Sequence, residues 1–182
     1  SLTYFQIKLY CALLFLKPIA TNNLFHKMID KDKISIKPIN KSHLSKLRLW
    51  KNQNKNNFFH KDLITQEDQT KWYKLFKSRK NDYMFVIINN NSLVGCMGIR
   101  LINDEWDVYN VILGNLKYSK KGIMSIAFLK MIEYALSLKK TKISLKVLKN
   151  NTAIIWYKKQ NFEIINSNEN FHTMIYKNNN TI

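Results

Sequence analysis

One stretch constrains this chain more than any other: Tyr118-Ser119-Lys120-Lys121-Gly122-Ile123-Met124-Ser125, set between an apolar strand pattern ending at Leu113 and an apolar helical pattern beginning at Ile123. It reads as a strand, a basic loop and a helix N-terminus. The first turn of a helix leaves backbone N–H groups without intrahelical partners, and the helix dipole adds partial positive charge there, so such a loop seats a phosphate readily. Gly122 adds to this. The chain has only four glycines, and this one stands where a backbone must approach a ligand closely. A plain strand-to-helix connection carrying a solvated lysine pair fits the same residues.

The remaining composition narrows the class. A chain of 182 residues with 46% apolar and 13% aromatic content is long enough for one domain with a sizeable core. The net charge of +18 points first to nucleic acid, but the arginines are only Arg48, Arg79 and Arg100, and lysine, asparagine and isoleucine are raised along the whole chain. That is the signature of an AT-rich coding bias. With no arginine cluster and no recognition motif, no nucleic-acid partner is expected, and the dispersed lysines read as a solvated surface with some bias toward anionic ligands. Cys11 and Cys96 lie far apart, which fits a reducing compartment, and the cytoplasm is the expected location. His26, His43, His60 and His172 fall at no metal-ligand spacing, so no metal is expected.

Residues 1–27 differ from the rest. The apolar run Leu9 to Leu16 is far shorter than the ~20 residues that span a bilayer, so no stable membrane insertion is expected. Met28 is the first methionine, and a coherent strand pattern starts just after it. The domain is therefore expected to occupy residues 28–178, with 1–27 as an extension that need not belong to the fold, and a chain starting at Met28 should fold and act.

Ile34 to Ile39 reads as a short strand, and Ser42 begins a helix with Leu44, Leu47 and Trp50 at helical spacing. A polar loop, Asn52 to Asn57, leads to Phe58-Phe59-His60. This is an unusual set for a mere connection, although two core aromatics and a surface histidine fit as well. Thr65 with Asp68 resembles a capping box opening a second helix, which carries Trp72, Leu75 and Phe76 on one side. Three strands follow, Tyr83 to Ile88, Leu93 to Leu101 and Trp106 to Leu113. Their short Asn-rich connections predict an antiparallel meander, and Gly95 and Gly98 predict a bulge or a close backbone approach. A helix from Ile123 to Leu138, a strand from Ile143 to Leu148, a short helix capped by Asn151 or Thr152, and two strands around Phe162 to Ile165 and Thr173 to Tyr176 complete the order.

This order resembles the GNAT superfamily of acetyl-CoA-dependent N-acetyltransferases. That family's pyrophosphate-loop pattern, Q/R-x-x-G-x-G/A, falls on Ser119 to Met124, where the central Gly122 matches and Ser119 and Met124 depart. Its late pattern of Val, Asn, Ala, Tyr and a Gly-Phe pair resembles Val147, Asn150, Ala153, Tyr157 and Asn161-Phe162. Asn161 replaces glycine at a helix C-terminus, where asparagine is the next best residue for a left-handed backbone. The resemblance implies an α+β fold with a central mixed, mostly antiparallel sheet flanked by helices.

It also implies roles. Pantetheine of acetyl-CoA would lie between the strands 106–113 and 143–148, with Val111 and Leu113 as backbone partners. Lys120, Lys121, Gly122, Ile123 and Met124 would surround the pyrophosphate, and Asn150 would face the thioester end. Tyr157 would protonate the departing thiolate, since a phenol of pKa ~10 donates without being charged at rest; a core aromatic of the short helix is the alternative. The acceptor amine must itself lose a proton. Glu105 and Asp107 stand two apart on a strand and so share a face, and Asp107 is the preferred carboxylate to orient a water. Two solvated acids at a strand start fit equally, and His60 is a second candidate base.

The segments Leu49-Trp50-Lys51-Asn52 and Phe59-His60, with Trp72 after them, resemble the branch holding RimJ/RimL- and PseH-type enzymes. Trp50, Asn52, Phe59 and His60 would then meet a small-molecule amine acceptor. An aminosugar or sugar nucleotide of bacterial glycan assembly is preferred, because a basic surface suits a diphosphate and aromatic and amide side chains suit a sugar ring. N-terminal acetylation of a ribosomal-type protein is the runner-up. A non-catalytic CoA-binding module is the reading from another class, motivated by Ser119 and Met124, and a homodimer is compatible with either.

Overall fold

A computed structural model describes residues 31–178; the expected extension at 1–27 and the domain start near Met28 lie outside the described residues. The elements are β1 (Ile34–Pro38), α1 (Leu44–Gln53), α2 (Gln66–Ser78), β2 (Asp82–Asn89), β3 (Ser92–Ile102), β4 (Glu105–Leu113), α3 (Ile123–Leu138), β5 (Ile143–Leu148), α4 (Ala153–Lys159), β6 (Phe162–Ser167) and β7 (Phe171–Tyr176). They build one seven-stranded sheet in the order β1-β2-β3-β4-β5-β7-β6, antiparallel except between β4 and β5. The mixed, mostly antiparallel architecture is as expected. The parallel pair follows from α3, which carries the chain across one face so that β5 re-enters beside β4 in the same direction.

Local chemistry sets most boundaries. Asn90 and Asn91 (φ 47° and 64°) and Asn103 and Asp104 (φ 49° and 68°) make two-residue hairpin turns in the left-handed region that asparagine and aspartate tolerate best. Thr65 and Asp68 form the capping box of α2, each side chain accepting from the other's backbone N–H. Asn151, rather than Thr152, caps α4 by accepting from Ala153 N–H at 2.9 Å. Asn161 closes α4 in the left-handed region at φ 63°. Two expectations shift. Leu75 is 60% exposed, so the buried side of α2 is made by Trp72, Tyr73 and Phe76 without it; and the last hairpin is longer than its apolar pattern, because backbone pairing continues through polar residues to Ser167 and Phe171.

The sheet is packed on both faces. On one face α3 buries Ile123, Ala127, Phe128, Met131, Ile132 and Ala135 against Phe85, Ile87, Ile99, Val108 and Leu145. On the other, α1 and α2 cover Met84, Val86, Cys96 and Ile112. Alternation along β4 assigns Trp106 and Val108 to the α3 face, but Val111 and Leu113 return to that face, three residues on instead of two. The extra residue is Asn110, at φ 50° and opposite the shift between Cys96 and Gly98. This bulge protrudes from β4; the one expected beside Gly95 lies in β3 at Val94, where Ile87 faces Gly95 and Ile88 faces Leu93, and the glycines of β3 also admit the close approach. A Cβ on Gly95 would lie 2.2 Å from the Ile112 carbonyl oxygen, and one on Gly98 would lie 2.6 Å from the Tyr109 ring.

Candidate active site

The bulge at Asn110 opens the sheet. β4 and β5 pair only through Trp106–Ile143, Asp107–Ser144 and Val108–Leu145. Beyond these, β4 keeps to β3 as far as Leu113, while β5 turns to β7 and pairs with it as far as Leu148–Phe171. The two parallel strands thus part into a V. Val111 and Leu113 lie on the open arm of β4, where that edge has no β5 partner. Asn150 lies just past the other arm and is exposed.

At the mouth of the V, Ser119, Lys120, Lys121 and Gly122 are exposed and lead into α3. Lys120 and Gly122 both have left-handed backbones, at φ 57° and 70°, and the residues after Gly122 supply the unpaired N–H groups of the helix start. That arrangement is a backbone concavity for an anion. The Lys121 ammonium lies 5.4 Å from the centre of the Tyr118 ring. Ile123 is 3% exposed, so only its backbone can meet a ligand, while Met124 is half-buried.

Tyr157 projects from α4 on the α3 face. Its ring is packed among Phe128, Trp156 and Phe162 at centroid distances of 5.2 to 6.1 Å. Burial pushes the phenol pKa well above its usual value, which keeps the hydroxyl protonated. No buried side-chain oxygen among the described residues lacks a hydrogen-bond partner, and the Tyr157 hydroxyl makes no such bond, so it emerges at the edge of the aromatic cluster. The Trp156 indole donates to Ser125 Oγ at 3.1 Å, tying α4 to the first turn of α3.

Asp107 stands on the opposite, α1/α2 face of the sheet, in the closed part of the V. Both Nη2 and Nε of Arg100 donate to its Oδ2, at 2.9 and 3.0 Å. Arg100 also lies 4.8 Å over the Tyr109 ring, whose hydroxyl donates to Asp82. Glu105 pairs with Lys142 at 3.2 Å. The structure does not bring Asp107 next to Tyr157.

The α1–α2 connection walls the V on the α1/α2 face, and here two expected substrate contacts are corrected. Trp50 is 2% exposed, with its indole so close to Gly114 that a Cβ there would lie 2.0 Å away. It is a core residue that seats the end of β4. Asn52 is engaged on both sides of its amide, donating to the Ile64 carbonyl at 3.0 Å and accepting from Ile64 N–H at 2.9 Å, so it staples the loop rather than a substrate. Phe59 is 56% exposed and meets Phe171 edge to face at 5.5 Å, and His60 stands outside with its ring 3.9 Å from Asp62. The Asn57 carbonyl accepts from Asn151 Nδ2 at 3.2 Å, so the loop reaches the far arm of the V.

Three residues of this region escaped the sequence reading. The Lys51 ammonium donates to Asn110 Oδ1 at the bulge and lies 3.2 Å above the Phe58 ring centre; burial lowers its pKa to about 8. Gln69, 8% exposed, and Cys96, whose thiol burial pushes up to about 12, line with it a cavity of about 220 Å³ completed by Leu47, Ile64, Asp68, Trp72, Met84, Asn110 and Ile112. No periodicity marks these positions. The one available signal was a lysine inside an otherwise amphipathic helix, beside Trp50.

The fold recurs in solved acetyltransferases. Spermidine N-acetyltransferase from Vibrio cholerae, in complex with CoA and spermine, is 17% identical with a TM-score of 0.67 over 79% of this chain and 95% of its own. Campylobacter jejuni N-acetyltransferase PseH is 19% identical with a TM-score of 0.61 over 80% and 98%. FdhC, a nucleotide-linked sugar GNAT in its apo form, is 16% identical with a TM-score of 0.65 over 79% and 86%. No curated protein sequence matches the chain. Among the described residues no helix is long and apolar enough to cross a membrane. The model of the Acetyltransferase (GNAT) family matches residues 47–162, which take in the parted strands, the basic loop and Tyr157, and the chain belongs to that family of acetyl-CoA-dependent N-acetyltransferases.

Proposed function

We propose that the protein acetylates the primary amine of an aminosugar, free or nucleotide-linked, in bacterial glycan assembly, acting in the cytoplasm where acetyl-CoA is available. The coenzyme lies in the V between β4 and β5, its pyrophosphate held by backbone N–H groups from Lys120 to Met124 and its pantetheine arm paired with Val111 and Leu113. Asn150 faces the thioester end. The neutral amine attacks the thioester carbonyl, the new C–N bond forms, the C–S bond breaks, and the Tyr157 hydroxyl donates its proton to the departing thiolate. Asp107, the carboxylate of β4 nearer the bulge, takes the amine proton through water, and Asp107→Asn is expected to lower kcat about a hundredfold, the low end of the ~10²–10⁴ range of general acid–base catalysis.

The observation that carries the acceptor reading is the cavity beside Asn110. It combines an indole face (Trp72), a carboxamide (Gln69) and an ammonium (Lys51). A polyamine suits it poorly. Its one acid, Asp68, already accepts from Thr65 N–H and Oγ at 2.9 and 2.7 Å, and its lysine repels a polycation. Release of CoA thiol is the test, measured with amino sugars, sugar nucleotides, spermidine and N-terminal peptides. Turnover is expected on a sugar amine, and turnover confined to peptides or polyamines removes the sugar reading.

A further inference from the structure

Two polar groups of the cavity beside Asn110 are left incomplete by the protein. Gln69 is 8% exposed, yet its carboxamide makes no hydrogen bond among the described residues. No fully enclosed side-chain nitrogen or oxygen lacks a partner, so this amide opens onto the cavity that it lines. Water reaches it there, and a ligand offering matching donors or acceptors replaces that water without leaving the amide unpaired.

Lys51 is the second. Its ammonium carries three N–H donors, of which Asn110 Oδ1 takes one and the Phe58 ring covers another side. No carboxylate pairs with it among the described residues. Asp68 lines the same cavity, but its Oδ2 is held in the capping box of α2. A half-buried cation without an anion is the reverse of the usual arrangement, in which buried charges are paired.

We propose that this cavity binds an oxygen anion of the acceptor, a carboxylate or a phosphate, between the Lys51 ammonium and the Gln69 carboxamide. Leu47, Ile64, Trp72, Met84 and Ile112 give the rest of the wall an apolar character that suits the face of a ring. The volume of about 220 Å³ lies below the ~300–1,000 Å³ of pockets that enclose whole drug-sized ligands. It therefore takes one anionic, sugar-sized end of the acceptor and leaves any nucleotide outside. That the anion belongs to the acceptor rests on the acetyl-transfer reading; that the cavity binds an anion does not.

Calorimetric titration of the full chain with glucuronate, glucose 6-phosphate and glucose at neutral pH tests it. One of the anions is expected to bind at least tenfold more tightly than glucose, and which one identifies the source of the charge. Lys51→Met should abolish the preference, and Gln69→Leu should weaken the preferred anion about tenfold. Equal binding of all three sugars, or a preference that survives Lys51→Met, overturns the proposal. If Lys51→Met fails to fold, the wild type decides. Between pH 7 and 9 the preference must fall as the ammonium loses its proton around pH 8, while the facing Cys96 thiol, at about 12, stays neutral and the Asp68 carboxyl, held low by its Thr65 bonds, stays charged; an unchanged preference across that range overturns it. Thiol release from 2-amino sugars with and without an anionic substituent then separates the two readings. Anion preference in binding with no such turnover keeps the site and removes its assignment to the acceptor.

Discussion

The two sides of the opening between β4 and β5 are built by different means. The side proposed for the coenzyme is mostly backbone: an extra residue at Asn110 that parts the strands, two left-handed residues in the loop, and the bare N–H groups at the start of α3. The side proposed for the acceptor is side chains meeting across the chain. Asn52 holds Ile64 twelve residues on, Lys51 reaches Asn110 across 59 residues, and Asn151 ties Asn57 across 94. Backbone chemistry survives a change of side chain, which is why Ser119 and Met124 can depart from the family pattern while the loop keeps its shape. Contacts between side chains have no such tolerance, so substitutions that leave the backbone alone are expected to act more strongly on that side than in the loop.

The comparison breaks first at Gly122. At φ 70° a β-branched side chain is strained, and Gly122→Val is expected to cost ~2–3 kcal/mol of loop geometry, about a hundredfold in KM for acetyl-CoA. Lys120→Ala and Lys121→Ala, which leave the backbone alone, should change it only a few-fold, since exposed charge pairs contribute ~0–1 kcal/mol. The opposite ranking would mean that the loop binds by side-chain charge.

Tyr157→Phe probes the one coenzyme-side role that depends on a side chain. Its ring contacts persist, so melting temperature and the KM for acetyl-CoA should hold while kcat falls about a hundredfold, within the ~10²–10⁴ range of acid catalysis. An unchanged kcat would return Tyr157 to the core. On the acceptor side, Asn52→Ala removes two hydrogen bonds of ~1 kcal/mol each, and the acceptor KM should rise about tenfold with acetyl-CoA binding unaltered. Equal losses for both substrates would show that the two sides are not separable.

A last effect is on stability against pH. Lys51 titrates near pH 8 when folded and near 10.5 when unfolded. Between those values the unfolded chain holds the proton that the folded chain has lost, so stability should rise with pH across that window. Urea unfolding followed across that window should show the rise in the wild type and its loss in Lys51→Met.

How much of this could be read in advance follows from the same division. The bounds of α3 and β5, the capping box at Thr65 and Asp68, and the left-handed Asn161 rest on periodicity and local hydrogen bonding, which neighbouring residues specify. The basic loop was visible for the same reason. Trp50 and Asn52 were misread as substrate contacts because a tryptophan two residues from an asparagine looks the same whether it faces a ligand or Gly114. Only the arrival of β4 and of Ile64 turned both inward.

The order of elements, the basic loop and the tyrosine after β5 were therefore present in the chain before folding, because helix spacing, strand alternation and turn chemistry act over a few residues. The bulge at Asn110, the burial of the Lys51 ammonium and the open amide of Gln69 were decided only when the sheet closed. Burial and register are sums over contacts between distant residues, and no short stretch of sequence contains them. The first set carries the family resemblance; the second shapes the cavity in which its acceptor is proposed to lie.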